Sequence, residues 1–372
     1  MSSRLKGKIG FPKLRIRVEK RPPPPLLTRV MWYVLSVLLS LAIGAILILS
    51  AGVNPAVAYY HLFAGALGGK LAVTETLWRF TPLLLTGTAV AVAFTCKFWN
   101  IGAEGQMLAG ATLAAYFGFT FVGLSPWVLI PLVVIAGFLA GAAWAVIPAI
   151  LRAKFGVDDV VTTLLGNWIM LYLVGALVEG PWRDPYSLWP ESPAIASAAR
   201  FPTLIPGYRI HIGFIIAIMI SLLFFAIIQR SVWGYQLKAV GANPKAAGFA
   251  GIDVSRVLIT AAVLSGGIAG VAGVNELCGT HFHLKGIAMG AVGELSWGYG
   301  YAGVFIAMLG GLHPIGVMLA AFFMAIMING SQAMYRATGV YSPFWRVMQG
   351  VIMICLLIGI FMINYRVRRV RE

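Results

Sequence analysis

The residues most suited to solute chemistry lie between Phe98 and Gln106, in the order Phe-Trp-Asn-Ile-Gly-Ala-Glu-Gly-Gln. Asn100, Glu104 and Gln106 can hydrogen-bond a polar solute or one another, and Gly102 and Gly105 let the backbone leave helical geometry. Because the flanking sequence is apolar, one reading is a broken helix beside a transport pathway, its freed backbone groups satisfied by protein or a water-filled cavity. The other is a helical hairpin turn in which Glu104 favours the positive N-terminus of the next helix. Further along, Asn167 stands beside Trp168 in mid-helix, as interhelical glue or as a solute ligand, with Asp158 and Asp159 capping the helix start. Trp297, Tyr299 and Tyr301 could stack a planar ring or anchor an interface.

The residues of an enzyme are not found. Gly65-Ala66-Leu67-Gly68-Gly69-Lys70 lacks the spacing and the hydroxyl residue of a phosphate-binding loop. Gly298 to Gly303 spells GxGxxG, without the preceding strand or the later acid that would hold a ribose. Cys278, His281 and His283 have no fourth ligand nearby in sequence and read as satisfied loop residues, so no metal is expected. No serine, histidine and aspartate arrangement of hydrolase type can be read either. The expectation is a chain with no catalytic residues and no cofactor of its own.

The elements that position these groups follow from composition. Of 372 residues, 60% are hydrophobic and 11% charged, about half the charge a soluble fold needs to cover its surface. The net charge of +16 is therefore assigned to an anionic membrane surface and not to nucleic acid. Runs of about 20 apolar residues, enough to cross ~30 Å of hydrocarbon, can be placed at 30–51, 80–97, 104–122, 126–149, 159–178, 211–229, 257–276, 296–311, 314–333 and 347–365. The first is expected to be an uncleaved helix, being longer than the apolar core of a signal peptide. Two glycine pairs, Gly137 with Gly141 and Gly266 with Gly270, mark close helix packing.

A basic tail over 1–29, stiffened by Pro22 to Pro25, and a second over 366–372 are expected in the cytoplasm by the positive-inside rule, with the transmembrane domain over 30–365 between them. An even number of crossings satisfies both. Residues 179–210, with six prolines, then form an external loop, and residues 230–256 an inner loop long enough for a helix along the membrane.

Three stretches together resemble a known family: FWNIGAEGQMLAG (98–110), the run from Gly241 to Ile252, and GYGYAGVFIAMLGGLHPIG (298–316). They closely resemble membrane subunits of bacterial ABC importers for ribose, other simple sugars and branched-chain amino acids, and NIGAEGQ is similar to the nucleoside-type branch. The resemblance covers nearly the whole chain from about residue 30. It implies an all-α integral membrane protein with the ABC importer permease fold and about ten transmembrane helices, in the bacterial inner membrane with both termini cytoplasmic. It also implies partners: ABC ATPase subunits carrying ATP and magnesium, an extracytoplasmic substrate-binding protein, and a second permease subunit, the same or related. The inner loop would then couple to the ATPase through Asn243, Ala246, Ala247 and Gly251, which match the family's GxNxxAAxxxGI pattern, with Lys245 where other importers carry Glu. Asn100, Glu104, Gln106, Asn167, Trp297, Tyr299 and Tyr301 are the candidates for the solute pathway. The solute is expected to be a nucleoside, with a simple sugar as the alternative. An ion-coupled carrier using Glu104, Glu276 and Glu294 is the remaining one.

Overall fold

The computed structural model describes residues 14–20, 24–285, 295–296, 298–341 and 343–371. The chain divides into two compact units, one of Met1–Pro55 with Pro343–Glu372 and one of Ala56–Ser342.

In the first unit, strand β1 (Leu14–Lys20) leads to helix α1 (Leu26–Ser50). The second unit holds α2 (Pro55–Leu67), α3 (Lys70–Thr95), α4 (Ala103–Thr120), α5 (Pro126–Phe155), α6 (Asp159–Glu179), α7 (Gly213–Arg230), α8 (Val232–Ala242), α9 (Pro244–Phe249), α10 (Val254–Glu276), α11 (Tyr299–Leu309) and α12 (Pro314–Thr338). The chain returns to the first unit with α13 (Phe344–Asn364) and β2 (Tyr365–Arg371).

Each of the ten expected runs coincides with a helix. Among the described residues, eight helices are long and apolar enough to cross a membrane: α1, α3, α5, α6, α7, α10, α12 and α13. The other two, α4 and α11, are enclosed instead. Residues 102–112 at the start of α4 are buried without interruption, and the 11 residues of α11 rise only ~16 Å. Two elements were not anticipated. Helix α2 occupies 55–67, and α3 begins at Lys70, ten residues before the apolar run, because Glu75 and Arg79 interrupt hydropathy without interrupting the helix.

The tails also differ from separate solvated anchors. β1 and β2 pair antiparallel from Leu14↔Arg371 to Lys20↔Tyr365, so part of each basic tail is one two-stranded ribbon. In the same unit α1 packs on α13 where Gly359 meets the Ser36 hydroxyl, which is turned back onto the Trp32 carbonyl at 2.8 Å.

Backbone contact among α4, α5 and α10 forms the centre of the second unit. A Cβ on Gly110 of α4 would strike Gly270 of α10, one on Gly270 would strike the Gly137 carbonyl of α5, and one on Gly141 would strike Gly266 and Gly270. Both glycine pairs therefore serve one three-helix contact, as small residues do where lipid offers no hydrophobic drive for association. Overpacking costs about 1–3 kcal/mol where side chains can yield, and more where the obstacle is backbone. Gly270→Leu should abolish the monodisperse protein in detergent or lower its unfolding midpoint by many degrees. Gly350→Leu, on an open face of α13, should leave the midpoint within a degree or two.

Candidate functional site

Three places bring polar side chains together inside the second unit or on its loops. The first is the connection from α3 to α4. Here the chain turns through Lys97 at φ 60° and becomes buried at Phe98 and Asn100. Asn100 and Gln106 exchange amide hydrogen bonds, Nδ2–H to Oε1 and Nε2–H to Oδ1, each 2.9 Å. Asn100 Nδ2 also donates to Ser265 Oγ of α10 at 2.9 Å, and that hydroxyl donates to the Ala89 carbonyl of α3 at 2.6 Å. From α6, Asn167 accepts from the Gly105 N–H at 2.8 Å and donates to the Ile101 carbonyl at 2.9 Å. Asp159 accepts the Trp99 N–H at 2.7 Å, and Thr163 Oγ1 accepts that of Ile101 at 3.2 Å. The break is thus held within protein on three sides, its backbone satisfied by side chains of α6. Asn100 thus makes two hydrogen bonds to Gln106, one to Ser265 and a fourth by accepting the Gly102 N–H at 3.0 Å.

The second place is the carboxylate of Glu104, buried in the first turn of α4. Gly300 N–H donates to Oε2 at 2.7 Å, and the Ser296 hydroxyl and the backbone N–H groups of Gly298 and Tyr301 also face the carboxylate. Two helix N-termini, those of α4 and α11, therefore converge on one carboxyl group. A Cβ on Gly300 would collide with the Glu104 backbone, and one on Gly303 would press on Thr86. Close packing explains these glycines of the GxGxxG run. The other carboxylate oxygen, Oε1, has no hydrogen-bond partner among the described residues. A cavity of about 260 Å³ adjoins Glu104, lined also by Asn167, Trp168, Tyr301 and three leucines.

Sequence reasoning named Glu276 and His281 separately and missed the third place, where they meet. Arg79, Asn275, Glu276 and His211 are all buried, and come from α3, the end of α10 and the segment before α7. Asn275 Nδ2 donates to Glu276 Oε1 at 3.2 Å, His281 Nε2 lies 3.8 Å from Glu276 Oε2, and Arg79 acts electrostatically on the same carboxylate. Tyr299 is buried with its hydroxyl 3.5 Å from Arg79 Nη1. His211 Nε2, Asn275 Oδ1, Glu276 Oε2 and His281 Nε2 make no hydrogen bond among the described residues. Each such atom costs about 1–3 kcal/mol when buried. Histidine 281 is not a satisfied loop residue: α10 runs on into a π-helical turn, Leu277–His281, that carries it. The signal available in the sequence was Arg79 and Glu276 at the ends of apolar runs. Nothing in the sequence brought the two together.

Tyr299 and Tyr301 have different surroundings. Tyr301 lines the Glu104 cavity and Tyr299 meets Arg79, while Trp297 lies outside the described residues.

The inner loop is helical. Asn243 caps α9 by accepting from the N–H groups of Lys245 and Ala246 at 3.1 and 3.2 Å, with Pro244 at the first helical position. Gly251, at φ 83°, ends it, with the Ile252 N–H returning to the Ala247 carbonyl at 3.1 Å. Ala247 faces inward, whereas Ala246 and Phe249 are exposed, Phe249 at 95%. Asn243 and Gly251 thus have conformational duties, and exposed small residues cover only part of α9.

Comparison with known proteins places this architecture. Residues 72–357 match the family described as branched-chain amino acid transport system, permease component. A guanosine ABC transporter permease protein of Bacillus subtilis is 35% identical over 311 residues, 83% of this chain and 87% of the relative. A nucleoside ABC transporter permease protein of Lactococcus lactis is 33% identical over 82% of this chain and 85% of its own length. A glucose ABC transporter permease protein of Haloferax volcanii is 32% identical over 90% of this chain and 88% of its own. No solved structure matches.

If the α3–α4 connection is structural, its loss should appear as stability before transport is considered. Asn100→Ala strands Gln106 and Ser265, and should lower unfolding stability in detergent by about 1–3 kcal/mol. An unchanged melting midpoint would show that the amide exchange contributes nothing to the fold.

Proposed function

The chain belongs to the family of permease components of branched-chain amino acid transport systems, and we propose that the solute it passes is a nucleoside. It is a transport subunit of an ABC transporter and not an enzyme. The observation that carries the substrate is the 35% identity, over 83% of the chain, to a guanosine permease. The nucleoside permease of Lactococcus lactis points the same way. The glucose permease at 32% favours the sugar alternative by a smaller margin of likeness.

The geometry suits this reading. Glu104, Asn167 and Tyr301 border a cavity of about 260 Å³, just under the ~300–1,000 Å³ usual for small-molecule pockets. Trp168 on its wall offers a ring to a planar base. ATPase subunits and an extracytoplasmic binding protein complete the transporter, and the second membrane subunit is a copy or a relative of this one. Both tails lie in the cytoplasm; the β1–β2 pairing, which holds residues 14–20 beside 365–371, supports placing them on one side.

In this reading α9 transmits ATP-driven closure to the bundle, and Asn243, Ala246, Ala247 and Gly251 shape the contact. The conformation of Gly251 then matters more than its size. Gly251→Val, which resists positive φ by about 1–2 kcal/mol, should lower solute uptake and stimulated ATP hydrolysis together by several-fold. Gly251→Asn, which tolerates that conformation, should keep most of both. Equal loss in the two variants would assign the position to close packing on the ATPase.

Uptake by vesicles holding the permease, its ATPase and its binding protein tests the substrate. Excess unlabelled guanosine should compete labelled nucleoside uptake away, and ribose should barely affect it. Competition by ribose or glucose alone would move the chain to the sugar branch.

A further inference from the structure

The polar cluster at the end of α10 remote from α9 has more recognition chemistry than the fold consumes. Its members His211, Asn275 and Glu276 are 2%, 1% and 1% exposed, yet each has a side-chain atom with no hydrogen bond among the described residues, as does His281 beside them. We propose that this cluster is a hydroxyl-recognising site on the solute path, taking the sugar moiety while the solute enters. The assignment rests on the nucleoside reading above.

The kinds of atom select the ligand. Glu276 Oε2 and Asn275 Oδ1 are acceptors and need donors, while each histidine nitrogen donates or accepts according to its tautomer. A hydroxyl does both at once, and a vicinal diol does so twice. Arg79 and Glu276 oppose one another's charge here, so a cation meets the guanidinium and an anion meets the carboxylate; a neutral polyol meets neither penalty. Among the described residues, the Trp78 ring at this place is already engaged. Trp78 already carries the guanidinium groups of Arg79 at 4.9 Å and Arg209 at 5.1 Å, and gives its Nε1–H to Thr280 Oγ1 at 2.8 Å.

The backbone is built to bring these atoms together. Residues five apart on a regular helix point about 140° away from each other. The π-helical turn Leu277–His281 widens the last turn, and His281 Nε2 comes within 3.8 Å of Glu276 Oε2. Glycines let the backbone pass close to these side chains, since a Cβ on Gly213 would strike Asn275 and His211, and one on Gly279 would strike His211 again. The proline-rich loop closes over the same place, with Arg209 3.8 Å from Glu75 and the Phe201 N–H donating to the Cys278 carbonyl at 2.8 Å.

The complete transporter in proteoliposomes tests this with guanosine and 2′,3′-dideoxyguanosine, each at a concentration that saturates the binding protein. Rates are normalised to the permease in the vesicles. Glu276→Gln, which puts an NH2 donor where an acceptor oxygen stood, should slow guanosine uptake about tenfold, as expected for leaving a buried polar group unpaired, and change dideoxyguanosine uptake less than twofold. His281→Asn, at a less buried position, should shift the same ratio and serves if Glu276→Gln does not insert. Parallel loss of both solutes, or an unchanged ratio in both variants, would overturn the site while leaving the permease reading intact. Wild-type vesicles that take up neither nucleoside would overturn the nucleoside reading, and the sugar site with it.

Discussion

Three backbones in direct contact hold the second unit together. Lipid tails solvate a leucine as well as another helix does, so helices in a bilayer gain from association only what close van der Waals contact and hydrogen bonds provide. Gly110, Gly137, Gly141, Gly266 and Gly270 allow α4, α5 and α10 to meet without intervening side chains. That contact fixes α4 deep in protein. Because α4 is fixed, the connection leading into it must bury Asn100, and the amide exchange with Gln106 follows as the means of burying it without leaving donors unpaired.

Polar groups at this depth fall into two kinds. At the α3–α4 connection nearly every donor and acceptor has a partner, and the assembly behaves as a rivet between α3, α4, α6 and α10. At Glu104 Oε1 and around Glu276 the accounting does not close. A fold that satisfies one polar set so completely does not leave another incomplete for lack of means, because substituting an apolar residue of similar volume removes the penalty. The incomplete sets are where a hydrogen-bonding visitor would be stabilised, and they lie on different faces of α11, one reached by Tyr301 and the other by Tyr299.

The positions of the helices could be read from hydropathy because a bilayer imposes one length and one polarity on every crossing. Glycine spacing also marked Gly137 with Gly141 and Gly266 with Gly270 as places of close packing, without saying that the two pairs meet each other. The reading failed where charge interrupts a helix. Glu75 and Arg79 concealed the first ten residues of α3, and α2 carries no feature that separates it from a loop flanked by Asn54 and Gly68. Likewise the Glu276 cluster draws on residues 79, 211, 275, 276 and 281, a juxtaposition that only topology creates. Asn100 and Gln106 were correctly singled out as polar residues among apolar ones. Their mutual pairing, which turns two candidate ligands into a structural bond, is a matter of side-chain geometry that spacing leaves open.

The pairing of α1 with α13, and of β1 with β2, has a consequence in time. Leu26 and Phe344 begin helices that belong to one unit, yet nearly the whole chain is made between them. At a synthesis rate of 5–20 residues per second, α1 waits on the order of 15–60 s in the bilayer before its partner exists. During that interval residues 56–342 can complete their own contacts, so the unit that starts first is the one that finishes last. An α1 left without α13 lacks Gly359 against Ser36, and that hydroxyl then has only the Trp32 carbonyl of its own helix to shield it from lipid.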